Sequence, residues 1–236
     1  MKPRLALHDI PSSIIFFIIL ICMTLSPKSR AAETARMIRV ACVGDSITYG
    51  SKVEDRARNN YPKVLNEILG KNFETKNFGV SGATLSKRGN KPYWNLPQFK
   101  AVAEFEPDAV VIALGTNDSK PNNWKSKSDF ANDARAMMEH FQNLATKPRV
   151  WICLPPPVFQ KDEDGINEET IKEEIIPEIM RVAQELKIPV IDFHDAMKGH
   201  SKLFPDGIHP NAAGAKLIAE IVAKSLGTVE LQKTTK

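Results

Sequence analysis

The segment Gly44-Asp45-Ser46-Ile47-Thr48-Tyr49-Gly50 directly follows a short apolar run, Ile38 to Val43. It reads as a tight strand-to-helix turn that lifts one serine hydroxyl off the end of a buried strand. A serine hydroxyl is a weak nucleophile until a base takes its proton and N–H donors stabilise the oxyanion that forms. A glycine-flanked turn into a helix N-terminus supplies both access and backbone N–H groups. Ser46 is therefore the first candidate for chemistry.

The elements that must position it follow from hydrophobic patterning. Strand-like runs at 38–43, 73–78, 109–114, 150–154 and 189–193 alternate with helical stretches at 61–69, 130–144, 171–186 and 211–226. Such alternation predicts an α/β fold, a five-stranded parallel sheet with helices on both faces in three α/β/α layers. Ligands of such sheets bind beyond the carboxyl ends of the strands. The residues unusual for plain connections fall there: Ser46 after the first strand, Asn77 to Gly82 after the second and Gly115-Thr116-Asn117-Asp118 after the third. Pro155-Pro156-Pro157 with a polar loop follows the fourth, and Asp206-Gly207-Ile208-His209-Pro210 lies beyond the fifth. All of these loops are expected on one rim.

On four of these blocks the chain resembles the SGNH or GDSL hydrolases, over roughly residues 37 to 226. Gly44-Asp45-Ser46 matches the nucleophile block, Gly82 the glycine block, Gly115-x-Asn117-Asp118 the asparagine block and Asp206-x-x-His209 the acid and base block. The four appear in family order and at strand ends. The resemblance implies a flavodoxin-like sheet and a serine esterase needing no cofactor. Ser46 is then the nucleophile, His209 the general base and Asp206 the residue that holds the imidazole tautomer. The N–H groups of Ser46 and Gly82 and the amide of Asn117 form the oxyanion hole. A side chain at position 82 is expected to obstruct the approach of its N–H to the oxyanion, and glycine also tolerates the unusual dihedrals of such loops.

Other polar residues take plainer readings. Asp45 and Asp118 are expected to fix turns through bonds to backbone N–H groups. Asp192-Phe193-His194-Asp195 has metal-ligand residue types, but no second ligand set accompanies it, and no metal is expected. Residues 84 to 98 form a polar loop carrying Tyr93 and Trp94, and Trp124 follows the asparagine block. These aromatics are candidates for stacking a sugar ring, with simple loop packing as the alternative. The same loop, with the Gly115 to Lys120 stretch and the Pro-rich turn, is similar to bacterial exported esterases of the sialate O-acetylesterase and carbohydrate acetylesterase kind. The expected substrate is a small-molecule or oligosaccharide acetyl ester such as O-acetylated sialic acid. A lysophospholipase or thioesterase of the same family, and a non-catalytic carbohydrate-binding relative, are the alternatives. A flavodoxin-like phosphate binder would have no use for Asn117 together with Asp206 and His209.

Composition bounds the rest. The chain has 236 residues, 42% hydrophobic and 25% charged, with a formal net charge of +4. One catalytic domain over 37–226 is the default. Much of the positive charge lies in residues 1–31, where Lys2, Arg4, Lys28 and Arg30 face only Asp9, and nothing in the remainder points to nucleic acid. Lys2 and Arg4 precede an apolar stretch from Ile14 to Leu25, shorter than the roughly 20 residues of a spanning helix. Ser29-Arg30-Ala31-Ala32 then offers a small-residue cleavage region. Residues 1–31 read as a secretory signal peptide, with export expected and stable membrane insertion not; a true start at Met37 is the cytoplasmic alternative. Cys22 lacks the small preceding residue of a lipobox, because Ile21 stands there. Cys42 and Cys153 lie in apolar runs and are expected as buried free thiols, and residues 227–236 as a polar tail.

Overall fold

The computed structural model describes residues 36–160 and 165–227. The expected signal peptide and nearly all of the expected tail lie outside the described residues. Five strands, β1 (Ile38–Gly44), β2 (Phe73–Gly79), β3 (Ala109–Ala113), β4 (Arg149–Leu154) and β5 (Val190–Asp192), form one sheet in the order β2-β1-β3-β4-β5. Every pairing is parallel. Successive strand side chains point to opposite faces, and both faces are apolar. Ala41, Val43, Val110, Ile112, Val150 and Ile152 belong to one core, while Val40, Cys42, Ala109, Val111, Trp151 and Cys153 belong to the other.

Five longer helices cover those faces: α1 (Tyr61–Leu69), α2 (Pro97–Glu104), α3 (Lys127–Gln142), α4 (Ile176–Leu186) and α5 (Ala212–Leu226). α1 and α5 complete the core around Cys42, and α2, α3 and α4 the core around Val110. Spacing explains how they do so. Tyr61, Leu65 and Leu69 recur every four residues on one side of α1 and are buried, as one helical stripe must be. Side-chain oxygens close the helix starts: Asn60 accepts from the Lys63 N–H, Ser126 from Asp129 and Asn211 from Gly214. Each cap satisfies a donor that the first turn leaves unpaired.

The structure departs from the sequence expectation in three places. α2 begins where a polar loop was expected to end. Pro97 supplies the fixed φ of a first turn, and Val102 anchors the helix in the core. α3 starts at Lys127 rather than Phe130, because the Ser126 hydroxyl caps it. β5 ends at Asp192, whose carboxylate accepts from the Asp195 N–H and turns the chain into a short helix, Phe193–Ala196. Cys42 and Cys153 are free and buried, with β3 between their strands. Burial pushes the Cys42 thiol up to about 12 against a bond to Tyr61, and it holds Cys153 well above the ordinary thiol range.

Candidate active site

The turn after β1 is built on close packing. A Cβ added at Gly44 would lie 2.0 Å from Thr48 Oγ1 and 2.7 Å from the Ala113 carbonyl oxygen, so no larger residue lets the chain bend here. Asp45 then caps the one-turn helix Ser46–Tyr49, its Oδ1 accepting from the Ile47 N–H at 2.9 Å. Gly50, at φ 90°, ends the turn in a left-handed conformation that glycine adopts without strain. Ser46 is thereby held at the first helical position, with its hydroxyl at the carboxyl end of the sheet.

The loop ahead of α5 brings His209 to it. His209 Nε2 lies 2.9 Å from Ser46 Oγ, and His209 Nδ1 lies 2.8 Å from Asp206 Oδ2. The other oxygen of Asp206 accepts from the N–H groups of Ile208 at 3.0 Å and His209 at 2.7 Å. Partial burial raises the titration of this carboxyl, but the bonds from His209 and Ile208 outweigh it and hold Asp206 below its ordinary value. An ionised carboxylate only accepts, so Nδ1 carries a proton toward Asp206, and in the neutral imidazole Nε2 is then the acceptor for the serine O–H. That is the protonation state a general base needs.

The two other expected site residues sit side by side. Asn117 Nδ2 donates to the Ala83 carbonyl at 3.1 Å, the residue directly after Gly82. The Asn123 amide donates to the Asn117 backbone carbonyl at 2.8 Å and fixes the turn. Asp118 ties the two loops together, its carboxylate accepting from the N–H groups of Leu85 at 2.9 Å and Ser86 at 2.8 Å. Burial pushes Asp118 up to about 7 against those two bonds, and Asp45 up to about 6 against the bond from Ile47 and the charge of His209. Gly82 has a φ of +79°, the unusual dihedral for which glycine was expected there. An added Cβ would meet only Lys91 Cδ among protein atoms, at 3.8 Å.

Of the aromatic candidates, Tyr93 needs correction. Tyr93 is fully buried and its hydroxyl donates to the Phe78 carbonyl at 2.7 Å, which leaves no face for a sugar. Trp94 donates its ring N–H to the Leu85 carbonyl at 2.9 Å and packs on Phe99 at 5.0 Å. Trp124 donates to Glu174 Oε2 at 2.7 Å and packs on Phe130 at 5.5 Å. Both half-buried indoles thus fasten loops to the body. His194 Nε2 contacts Glu168 Oε1 at 2.9 Å, and no group of three or more potential metal ligands occurs among the described residues.

The polar loop after β4 had no signal in the sequence beyond its composition, yet it forms a wall of the rim. Glu168 Oε2 accepts from the Val158 N–H at 2.7 Å, the Phe159 N–H donates to the Gly207 carbonyl at 2.8 Å, and the Asn167 N–H donates to Ser119 Oγ at 3.0 Å. One end of this loop is therefore bonded two residues from His209, and the other two residues from Asn117.

Residues 42–217 match the model of the GDSL-like Lipase/Acylhydrolase family. An acetylxylan esterase of Xylanibacter ruminicola is 41% identical over 217 residues, covering 84% of this chain and 45% of the relative. The chain spans about half the length of the curated relatives it matches. Among solved structures, a carbohydrate acetylesterase from Sinorhizobium meliloti superimposes with a TM-score of 0.68 at 22% identity, covering 81% of this chain and 99% of the other. An acetyl xylan esterase superimposes with a TM-score of 0.64 at 20% identity, covering 80% and 100%. At such identities the structural likeness speaks for the fold.

Proposed function

The chain belongs to the GDSL-like Lipase/Acylhydrolase family, and from that premise we propose that it is a serine esterase removing acetyl groups from carbohydrate through an acyl-enzyme. The observation that carries this reading is the hydrogen-bonded line from Ser46 Oγ through His209 to Asp206, at 2.9 and 2.8 Å. The names of the acetylxylan esterase and of the carbohydrate acetylesterase above support the acetyl and carbohydrate parts. O-acetylated sialic acid and acetylated xylan are the two sugar esters to be tried. Export belongs to the same reading and rests on the pattern of residues 1–31.

In the first step Ser46 Oγ attacks the ester carbonyl carbon while His209 Nε2 takes the hydroxyl proton. Asp206 keeps Nδ1 protonated and stabilises the imidazolium that results. The oxyanion is received by the Ser46 and Gly82 N–H groups and by Asn117 Nδ2, which has a second hydrogen besides the one given to Ala83. Collapse breaks the bond to the sugar oxygen, and His209 returns its proton to that oxygen. Water then enters, gives a proton to His209, attacks the acetyl-serine carbonyl and releases acetate, and the proton returns to Ser46.

The test is Ser46→Ala. Turnover of p-nitrophenyl acetate and of acetylated oligosaccharide should fall about 10⁴-fold or more, and a serine-reactive phosphonate should label the wild type stoichiometrically and the variant not at all. Near-normal turnover by the variant sinks the nucleophile assignment. A kcat/KM higher on octanoyl than on acetyl esters points to a lipase or thioesterase instead.

A further inference from the structure

The peptide unit between Ser81 and Gly82 carries one of the proposed oxyanion donors at its nitrogen end, and a charged side chain holds its oxygen end. Lys91 Nζ donates to the Ser81 carbonyl at 2.9 Å. The stem of the same lysine passes Gly82, since its Cδ is the protein atom that a Cβ added there would meet, at 3.8 Å. The unit is trans and planar, so its N–H points away from its C=O. Fixing the carbonyl on Lys91 therefore fixes the direction of the Gly82 N–H, which donates to no group among the described residues.

The lysine is itself held. The Thr84 N–H donates to the Lys91 carbonyl at 2.9 Å and the Tyr93 N–H to the Thr84 carbonyl at 3.0 Å, so Pro92 and its neighbours lie alongside the buried Thr84 as a one-residue parallel bridge. One residue earlier, the Asn90 N–H donates to Asn123 Oδ1 at 2.8 Å, and the Asn123 amide is the group that holds the Asn117 backbone carbonyl. Asn90 and Lys91 thus grip both oxyanion loops at once. From the other side the Ser81 and Ser51 hydroxyls meet at 2.7 Å, and the Ser51 N–H donates to the Ser46 carbonyl at 2.9 Å. The same peptide is in this way tied to the nucleophile turn. Two other cations of the loop end on carboxylates, Lys87 on Asp133 at 3.6 Å and Arg88 on Asp129 at 2.7 Å. Lys91 places its charge on a peptide carbonyl instead.

We propose that Lys91 is a positioning residue of the oxyanion hole: its ammonium orients and polarises the Ser81–Gly82 peptide, making the Gly82 N–H a stronger donor to the tetrahedral oxyanion. The proposal rests on the acetylesterase reading above and on its assignment of Gly82. A cation at the carbonyl oxygen draws electron density toward that oxygen and leaves the N–H more positive, as in any chain of hydrogen bonds that shares a peptide. A charged donor does this more strongly than a neutral one. The gain is selective for the transition state, because the oxyanion carries charge that the ester carbonyl does not. Lys91 is exposed, so water screens it, and its effect is smaller than that of a donor touching the oxyanion.

The experiment compares steady-state turnover of p-nitrophenyl acetate by wild type, Lys91→Met, Lys91→Arg and Lys87→Met, with urea unfolding of each preparation to correct for folded fraction. Lys91→Met keeps an unbranched stem and removes the ammonium; kcat should fall about five- to tenfold with KM changed less than about twofold. Labelling of Ser46 by a serine-reactive phosphonate should slow in step, since that reaction also drives negative charge into the hole. Lys91→Arg keeps a cationic donor and should recover most of the loss. Lys87→Met removes a charge from the same loop and should leave kcat within about twofold of wild type. A kcat for Lys91→Met within about twofold of wild type overturns the proposal. So does a change confined to KM, which makes Lys91 a substrate-binding residue, or an equal loss in Lys91→Arg, which leaves no role for the charge. An equal loss in Lys87→Met also overturns it, because the net charge of the loop would then suffice. Ser46→Ala separates these failures from failure of the reading beneath. Turnover abolished in that variant and unaffected in Lys91→Met refutes the positioning role by itself, whereas absence of esterase turnover in wild type refutes the acetylesterase reading and the positioning role with it.

Discussion

Replacing Asn117 by alanine separates binding from catalysis at this site. In the structure one amide hydrogen of the side chain goes to the Ala83 carbonyl at 3.1 Å, and the proposed mechanism gives the other to the oxyanion. Losing an oxyanion donor costs about 10² to 10³ in kcat, or about 3 to 4 kcal/mol of transition-state stabilisation. KM should change far less, because the bond strengthens as charge develops on the oxygen. The same substitution leaves the Ala83 carbonyl without this donor, at a cost of about 1 to 3 kcal/mol of stability. The turn itself should persist, since Asn123 still holds the Asn117 backbone carbonyl. The assay is steady-state turnover of p-nitrophenyl acetate, with urea unfolding of the same preparation to correct for folded fraction. Asn117→Asp should be at least as inactive, as it removes both donors and sets a carboxylate against the forming oxyanion. A rise in KM at unchanged kcat, or a corrected loss under about fivefold, refutes the oxyanion role and leaves Asn117 as a loop tie.

Asp206→Asn should lower kcat/KM by about 10² to 10⁴, less than Ser46→Ala, because the serine, the base and the oxyanion donors survive while the imidazole loses its anionic partner; full activity here, with loss on changing Asp192 or Asp195, would transfer the acid role to the β5 cluster. Asp45 is buried with its carboxyl raised from 3.8 to about 6, so the folded state takes up a proton that the unfolded state has not yet bound, and its contribution to stability grows as pH falls from about 7 toward 4. Asp45→Asn keeps the cap acceptor but not the proton uptake, so the stability difference between wild type and variant should move in favour of wild type over that range by on the order of 3 kcal/mol; parallel stability curves rule this out. Tyr93→Phe should lower stability by about 1 to 3 kcal/mol by unpairing the buried Phe78 carbonyl, and should leave the relative preference among sugar esters unchanged; a specific loss on sugar esters restores Tyr93 as a binding residue.

The strands, the Ser46 turn and the Asp206-x-x-His209 block were legible in the sequence because each is a local pattern. A buried parallel strand is a short apolar run, Gly44 and Gly50 mark a turn closed to larger residues, and three residues suffice to set a carboxylate beside an imidazole. That strand ends share one rim follows from the same alternation, so the convergence of Ser46, Asn117 and His209 was foreseeable in outline, while the order β2-β1-β3-β4-β5 is set by how the strands pair. Only the tertiary structure decided what the loops between them do. Tyr93 and Trp94 have the same composition whether they face a sugar or a carbonyl oxygen, and their burial depends on Phe78 and Leu85, elements distant in sequence or folded back across a turn. The wall formed by Phe159, Gln160 and Asn167 arises from bonds to Gly207 and Ser119, each about 50 residues away in the chain. Side-chain periodicity reports which face of an element is buried; it carries no information on which remote loop will satisfy a given backbone N–H, because that partner is set by how the layers pack.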